Sequence, residues 1–106
     1  GALALAELKD ARALRSLTLD LFDNAVRDCG AQALAGLKDS ASLCSLALDL
    51  GSNEVGPRGA QALADLRAAT GLRTLTLGLR KNAVGESGAR ALTALKHSMA
   101  DCRIFL

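Results

Sequence analysis

Leu17, Leu19 and Leu21 alternate with polar or small residues, and the alternation returns at Leu46-Leu48-Leu50 and Leu75-Leu77-Leu79. Apolar side chains at every second position mark a strand with one buried face, so each stretch predicts one strand. Downstream the pattern changes to Gly-Ala-x-Ala-Leu-Ala-x-Leu, as in Gly59-Ala60-Gln61-Ala62-Leu63-Ala64-Asp65-Leu66. These are good helix formers with apolar residues three and four apart, which predicts a helix.

The strand and helix patterns recur together. A shift of 29 residues superposes Asn24, Asn53 and Asn82, then Val26, Val55 and Val84, and it also aligns Gly1, Gly30, Gly59 and Gly88. Leu5, Leu34, Leu63 and Leu92 form another column, as do Leu8, Leu37, Leu66 and Leu95. Self-similarity at this period predicts a solenoid of stacked units. The chain divides into a partial repeat 1–13, full repeats 14–42, 43–71 and 72–100, and a partial repeat 101–106, all in one array. Asp28, Pro57 and Glu86 mark the helix starts, since acids suit the positive end of the helix dipole and proline fits a first turn. Lys9, Lys38, Arg67 and Lys96 mark the helix ends. A strand–helix unit repeated in one direction predicts a right-handed α/β solenoid, with a parallel sheet on the concave side and helices on the convex side. It curves because strands stack at ~5 Å and helices at ~8–10 Å.

Leu43-x-x-Leu46-x-Leu48, Asn53-x-Val55-Gly56 and Gly59-Ala60-x-Ala62-Leu63-Ala64 resemble the ribonuclease-inhibitor class of leucine-rich repeats, also found in the repeat domains of NOD-like receptors. The resemblance spans essentially the whole chain. The family usually runs Leu-x-Leu-x-x-Asn, whereas here a further x-Leu pair intervenes, as in Leu17-Thr18-Leu19-Asp20-Leu21-Phe22-Asp23-Asn24, and the helix segment is about one residue shorter. This variety is similar to long alanine-rich arrays of unicellular algae and their relatives, and it leaves the strand register open. A short amide can satisfy backbone groups where the chain leaves a strand. The resemblance implies that Asn24, Asn53 and Asn82 form a buried structural ladder.

If the leucines point inward, their neighbours form the concave face: Ser16, Thr18, Asp20 and Phe22, then Ser45, Ala47, Asp49 and Gly51, then Thr74, Thr76, Gly78 and Arg80. The final strand adds Arg103 and Phe105. This face is the candidate protein-binding surface. Its small, mildly polar middle offers anchors only at the edges, and hot spots favour Trp, Tyr and Arg, so the segment by itself predicts a weak binder.

Composition narrows the functional classes. Thirteen basic and 11 acidic residues leave +2, with no Trp or Tyr, which excludes the charge density and stacking platforms of a nucleic-acid binder. No apolar run is long enough for a membrane span, and no signal-peptide pattern opens the chain. Three Cys without CxxC spacing predict neither a disulfide framework nor a zinc site, and they suit a soluble chain in a reducing compartment, the cytoplasm or an organelle stroma. Cys44 and Cys102 share a column two repeats apart, beyond disulfide reach. Cys29, before a helix glycine, is a possible redox thiol.

No catalytic, cofactor or metal site is expected. His97 has no companion histidine, and Gly56-Pro57-Arg58-Gly59 and Gly85-Glu86-Ser87-Gly88 read as turns opening helices rather than phosphate cradles. Met99 shares a column with Arg12, Ala41 and Thr70, so no methionine-lined pocket is expected. The Lys9–Lys96 column reads either as a rail for anionic surfaces or as cations stabilising helix ends. Neither end shows a polar cap, so further repeats or neighbouring subunits are expected to cover the ends. The expected function is a non-catalytic protein-interaction or scaffolding module, part of a longer array. The alternatives are an accessory subunit within a large assembly and a self-contained, weakly interacting fragment.

Overall fold

The computed structural model describes residues 15–39, 42–69 and 71–106. The partial repeat 1–13, with Lys9, and the positions Ala41 and Thr70 lie outside the described residues.

Four strands, β1 (Ser16–Asp20), β2 (Ser45–Asp49), β3 (Thr74–Gly78) and β4 (Asp101–Phe105), alternate with helices α1 (Arg27–Ala35), α2 (Pro57–Ala64) and α3 (Gly85–Ser98). The strands form one open parallel sheet in chain order. Parallel neighbours need a crossover, which each helix supplies. The result is the α/β solenoid that the period predicted.

The core lies between the sheet and the helices. Leu46, Leu48, Leu75 and Leu77 from the strands meet Ala31, Leu34, Ala60, Leu63, Leu92 and Leu95 from the helices, all nearly inaccessible to water. The additional leucine of each unit lengthens the ladder by a rung. Leu21 N–H donates to Asp49 O at 2.9 Å, Leu50 N–H to Gly78 O at 2.7 Å and Leu79 N–H to Phe105 O at 2.7 Å. Leu50 and Leu79 are fully buried there.

Two sequence expectations change in the last unit. β1–β2 and β2–β3 pair residues 29 apart, such as Leu46 with Leu75, but β3–β4 pairs Thr74 with Asp101 and Leu75 with Cys102, an offset of 27. Cys102 therefore leaves the Cys44 column and enters the inward leucine column. Met99 likewise leaves the Arg12–Thr70 column and packs, partly buried, against the core. Keeping the strict period would set Asp101 in the buried Leu43–Leu72 column. The shift instead puts Met99, Cys102, Ile104 and Leu106 in the leucine columns, sparing an unpaired acid the cost of burial.

The shortening lies after the helix, because β4 begins at Asp101, three residues past Ser98, whereas β3 begins at Thr74, six residues past Ala68. α1 and α2 give way to 3₁₀ turns, Gly36–Asp39 and Asp65–Ala68, whereas α3 continues as an α-helix to Ser98. The deciding column holds Gly36, Asp65 and Ala94, two poor helix formers and then the best one.

The helices approach closely through the glycine column. A Cβ built at Gly59 would lie 2.6 Å from Asp28 Oδ1, 2.8 Å from Val55 Cγ1 and 3.1 Å from Ala31 Cβ. Asp28 was read as an acid for its own helix. Its carboxylate also reaches the next unit, where Oδ1 accepts from Gly56 N at 2.6 Å and Gly59 N at 3.1 Å, at the start of α2.

Candidate functional site

Side chains that point away from the core line the open face of the sheet. Ser16, Thr18 and Asp20 are exposed on β1, Ser45, Ala47, Thr74 and Thr76 are half-buried on β2 and β3, and Asp49, Arg103 and Phe105 are exposed. Phe22 and Arg80 stand just beyond their strands. A trough of about 580 Å³ lies over β2 and β3. It brings together Thr18, Asp20, Phe22, Ala47, Asp49, Thr76, Arg80 and Phe105, with Gly51 and Gly78 in its floor. Ser16, Ser45, Thr74 and Arg103 fall outside it.

The two phenylalanines rise on its opposite sides, 50% and 43% exposed, and with Leu106 they are the exposed large apolar side chains among the described residues. Phe22 leans over the neighbouring strand, where a Cβ at Gly51 would meet its ring at 2.8 Å. The glycine is thus the seat of the ring. Arg80 Cζ sits 5.5 Å from the centroid of Phe105, a cation–π contact. Asp20 Oδ1 accepts from Phe22 N at 3.2 Å and Asp49 Oδ1 from Gly51 N at 3.1 Å, so each acid braces the turn that follows its strand.

Behind the face, asparagine amides join each turn to the next. Asn53 Oδ1 accepts from Asn24 N at 2.8 Å and Val26 N at 3.1 Å, and its Nδ2 donates to Leu21 O at 2.7 Å and Gly51 O at 2.9 Å. Asn82 repeats the arrangement one unit on, accepting from Asn53 N and Val55 N and donating to Leu50 O. Asn53 is fully buried and Asn82 half-buried, while Asn24 is exposed and donates to Phe22 O at 2.9 Å. The turns achieve this by left-handed residues, Asp23, Ala25 and Arg27 in the first unit and Ser52 and Glu54 in the second. Alternating backbone of this kind turns successive N–H groups toward one acceptor, here the amide oxygen of the next asparagine.

Other sequence candidates are scattered. Lys38 is half-buried in a 3₁₀ turn, and Arg67 and Lys96 are exposed. His97 is exposed on α3. Cys29, Cys44 and Cys102 are all free thiols. Cys44 Sγ donates to Ser42 O at 3.5 Å. Burial pushes the Cys102 thiol up from its ordinary value, with Lys96 opposing and Asp101 adding to the shift. Among the described residues no cluster of His, Cys, Asp or Glu is placed to hold a metal ion, and no helix is long and apolar enough to cross a membrane.

Sequence reasoning placed the columns but missed the reach of Asp28 into α2 and the seating of Phe22 on Gly51. The second had a signal, because Gly51 shares the column of Phe22 and Arg80 and is the residue there without a side chain.

The family model for the leucine-rich repeat matches residues 13–35 and 46–64. The first match contains β1 and α1, the second most of β2 with α2. No curated protein and no solved structure gives a significant match. Leucine-rich repeat domains generally mediate protein–protein interaction and are typically non-catalytic. Stacked strand–helix units with leucine columns inside, two of them matched by the family model, give this chain an α/β solenoid fold that is similar to the leucine-rich repeat.

Proposed function

We propose that the chain is a non-catalytic protein-binding module of the ribonuclease-inhibitor-like class, a section of a longer array whose partner is held in the concave trough. The observation that carries this reading is the exposed pair Phe22 and Phe105, with Arg80 stacked on the second, flanking a floor of small residues. Aromatic side chains and arginine supply most of the binding energy at protein interfaces, and a small-residue floor lets a partner approach the sheet. A net charge of +2 argues against nucleic acid as the partner, and three free thiols suit a reducing compartment.

In the second reading the exposed Phe22 and Phe105 pack against a neighbouring subunit, and the chain is an accessory subunit of a large assembly.

The test uses a photo-crosslinking residue placed at Thr76, in the trough, or at Gln61, exposed on α2, in the protein in its native cell. Adducts with a discrete polypeptide from position 76, lost in the Phe22→Ser/Phe105→Ser variant, are expected. Adducts from position 61 alone would overturn the concave reading.

A further inference from the structure

Asp49 and Arg80 carry opposite charges on neighbouring strands of the trough. Arg80 lies two residues past Gly78, the register partner of Asp49. At ~4.8 Å between strands and ~3.3 Å per residue, their Cα atoms are ~8 Å apart, within reach of an ion pair. None forms, and neither residue has an ion-pair partner among the described residues. Each is held elsewhere: Asp49 by the Gly51 N–H, and Arg80 by the ring of Phe105. Opposite charges fixed apart, each on its own support, form a preorganised dipole at the surface.

We propose that this dipole selects the partner of the trough: an extended segment bearing an acidic and a basic side chain two residues apart, the acid on Arg80 and the base on Asp49. The inference rests on the concave face being the binding surface. An extended chain advances ~3.3 Å per residue and returns to the same face at every second residue, so such a spacing sets the two charges on one face ~7 Å apart, matching the trough. The acidic side chain meets a guanidinium whose far face is covered by the Phe105 ring, and bidentate pairing is the geometry that a guanidinium favours. The basic side chain meets Asp49 with Asp20 on the adjoining strand in the same column. A segment of one sign would satisfy one end and be repelled by the other.

The experiment pans a random dodecapeptide phage library on the folded chain and titrates enriched peptides by calorimetry. Enrichment of acid–base pairs at i, i+2 is expected. Arg80→Glu should weaken them at least ten-fold, and the Asp49→Lys/Arg80→Glu variant should bind the same peptides with their two charges exchanged. Both residues are exposed, and circular dichroism matching the wild type checks that the variants fold. Enriched peptides that lack charge pairs but still compete with Phe22→Ser would overturn the charge selection and keep the concave reading. Peptides indifferent to Phe22→Ser/Phe105→Ser, or no enrichment over that variant, would overturn both.

Discussion

The Asn53 side chain serves four backbone groups that belong to two turns. Leucine at this position would fill the volume and satisfy none of them, leaving Asn24 N–H, Val26 N–H and Leu21 O short of partners in a part-buried setting, while Gly51 O keeps the Asp23 N–H. Each unsatisfied buried group costs ~1–3 kcal/mol. Asn53→Leu is therefore expected to lower unfolding stability by about 3 kcal/mol or more, read from the denaturant midpoint. Asn24→Leu, at an exposed amide that accepts nothing from a neighbouring turn among the described residues, should cost under about 1 kcal/mol. Equal midpoints for the two variants would remove the inter-turn role. That these asparagines are equivalent was legible in the sequence, because they recur at the period. Their unequal burial was not, since it depends on which layer lies on each side. The partner of Asp28 was likewise hidden, because its carboxylate caps a helix 28 to 31 residues away.

Every strand and helix was legible from apolar spacing, and so was the order of the sheet. The details that escaped lie where one element yields to the next. Whether a helix relaxes into a 3₁₀ turn depended on a single column, and the shorter connection into β4 appears only when its inward residues are counted against those of β3. The glycines give a direct check on helix stacking. At Gly59 an added methyl would collide with Asp28, Val55 and Ala31, two of them on the adjoining helix, whereas at Gly36, with φ −60°, a Cβ meets nothing within 4 Å. Gly59→Ala is expected to destabilise by ~1–3 kcal/mol through overpacking. Gly36→Ala should stabilise by up to ~1 kcal/mol, since it restricts the unfolded chain at no steric cost. Thermal melts of the two variants should move in opposite directions, and a shared direction would contradict the stacking geometry.

Across the whole molecule, each unit touches mainly its neighbours, so stability follows the number of covered faces. β2 and β3 have strands on both sides, and their leucines are almost wholly buried, while β4 pairs on one side and ends in the exposed Phe105 and Leu106. Hydrogen exchange should therefore protect the amides of Leu46 and Leu48, which face β3, at least ten-fold more than those of β4. Uniform protection would mean that the units open together. At this scale the sequence foretold the open face and its residues. It could not foretell that Phe22 lies across Gly51 or that Arg80 rests on Phe105, because those contacts are chosen by side-chain rotamers on adjacent strands.

The change of offset at β4 separates two kinds of neighbourhood. A slip of two residues leaves every side chain of β4 on the face the repeat assigns it, because strand side chains alternate with a period of two. It nevertheless changes who stands beside whom: Arg103 flanks Thr76, not Thr74, and Phe105 flanks Gly78, not Thr76. An engineered cross-strand staple designed by aligning repeats would join 103 to 74 and distort the sheet, while one joining 103 to 76 would follow its actual weave.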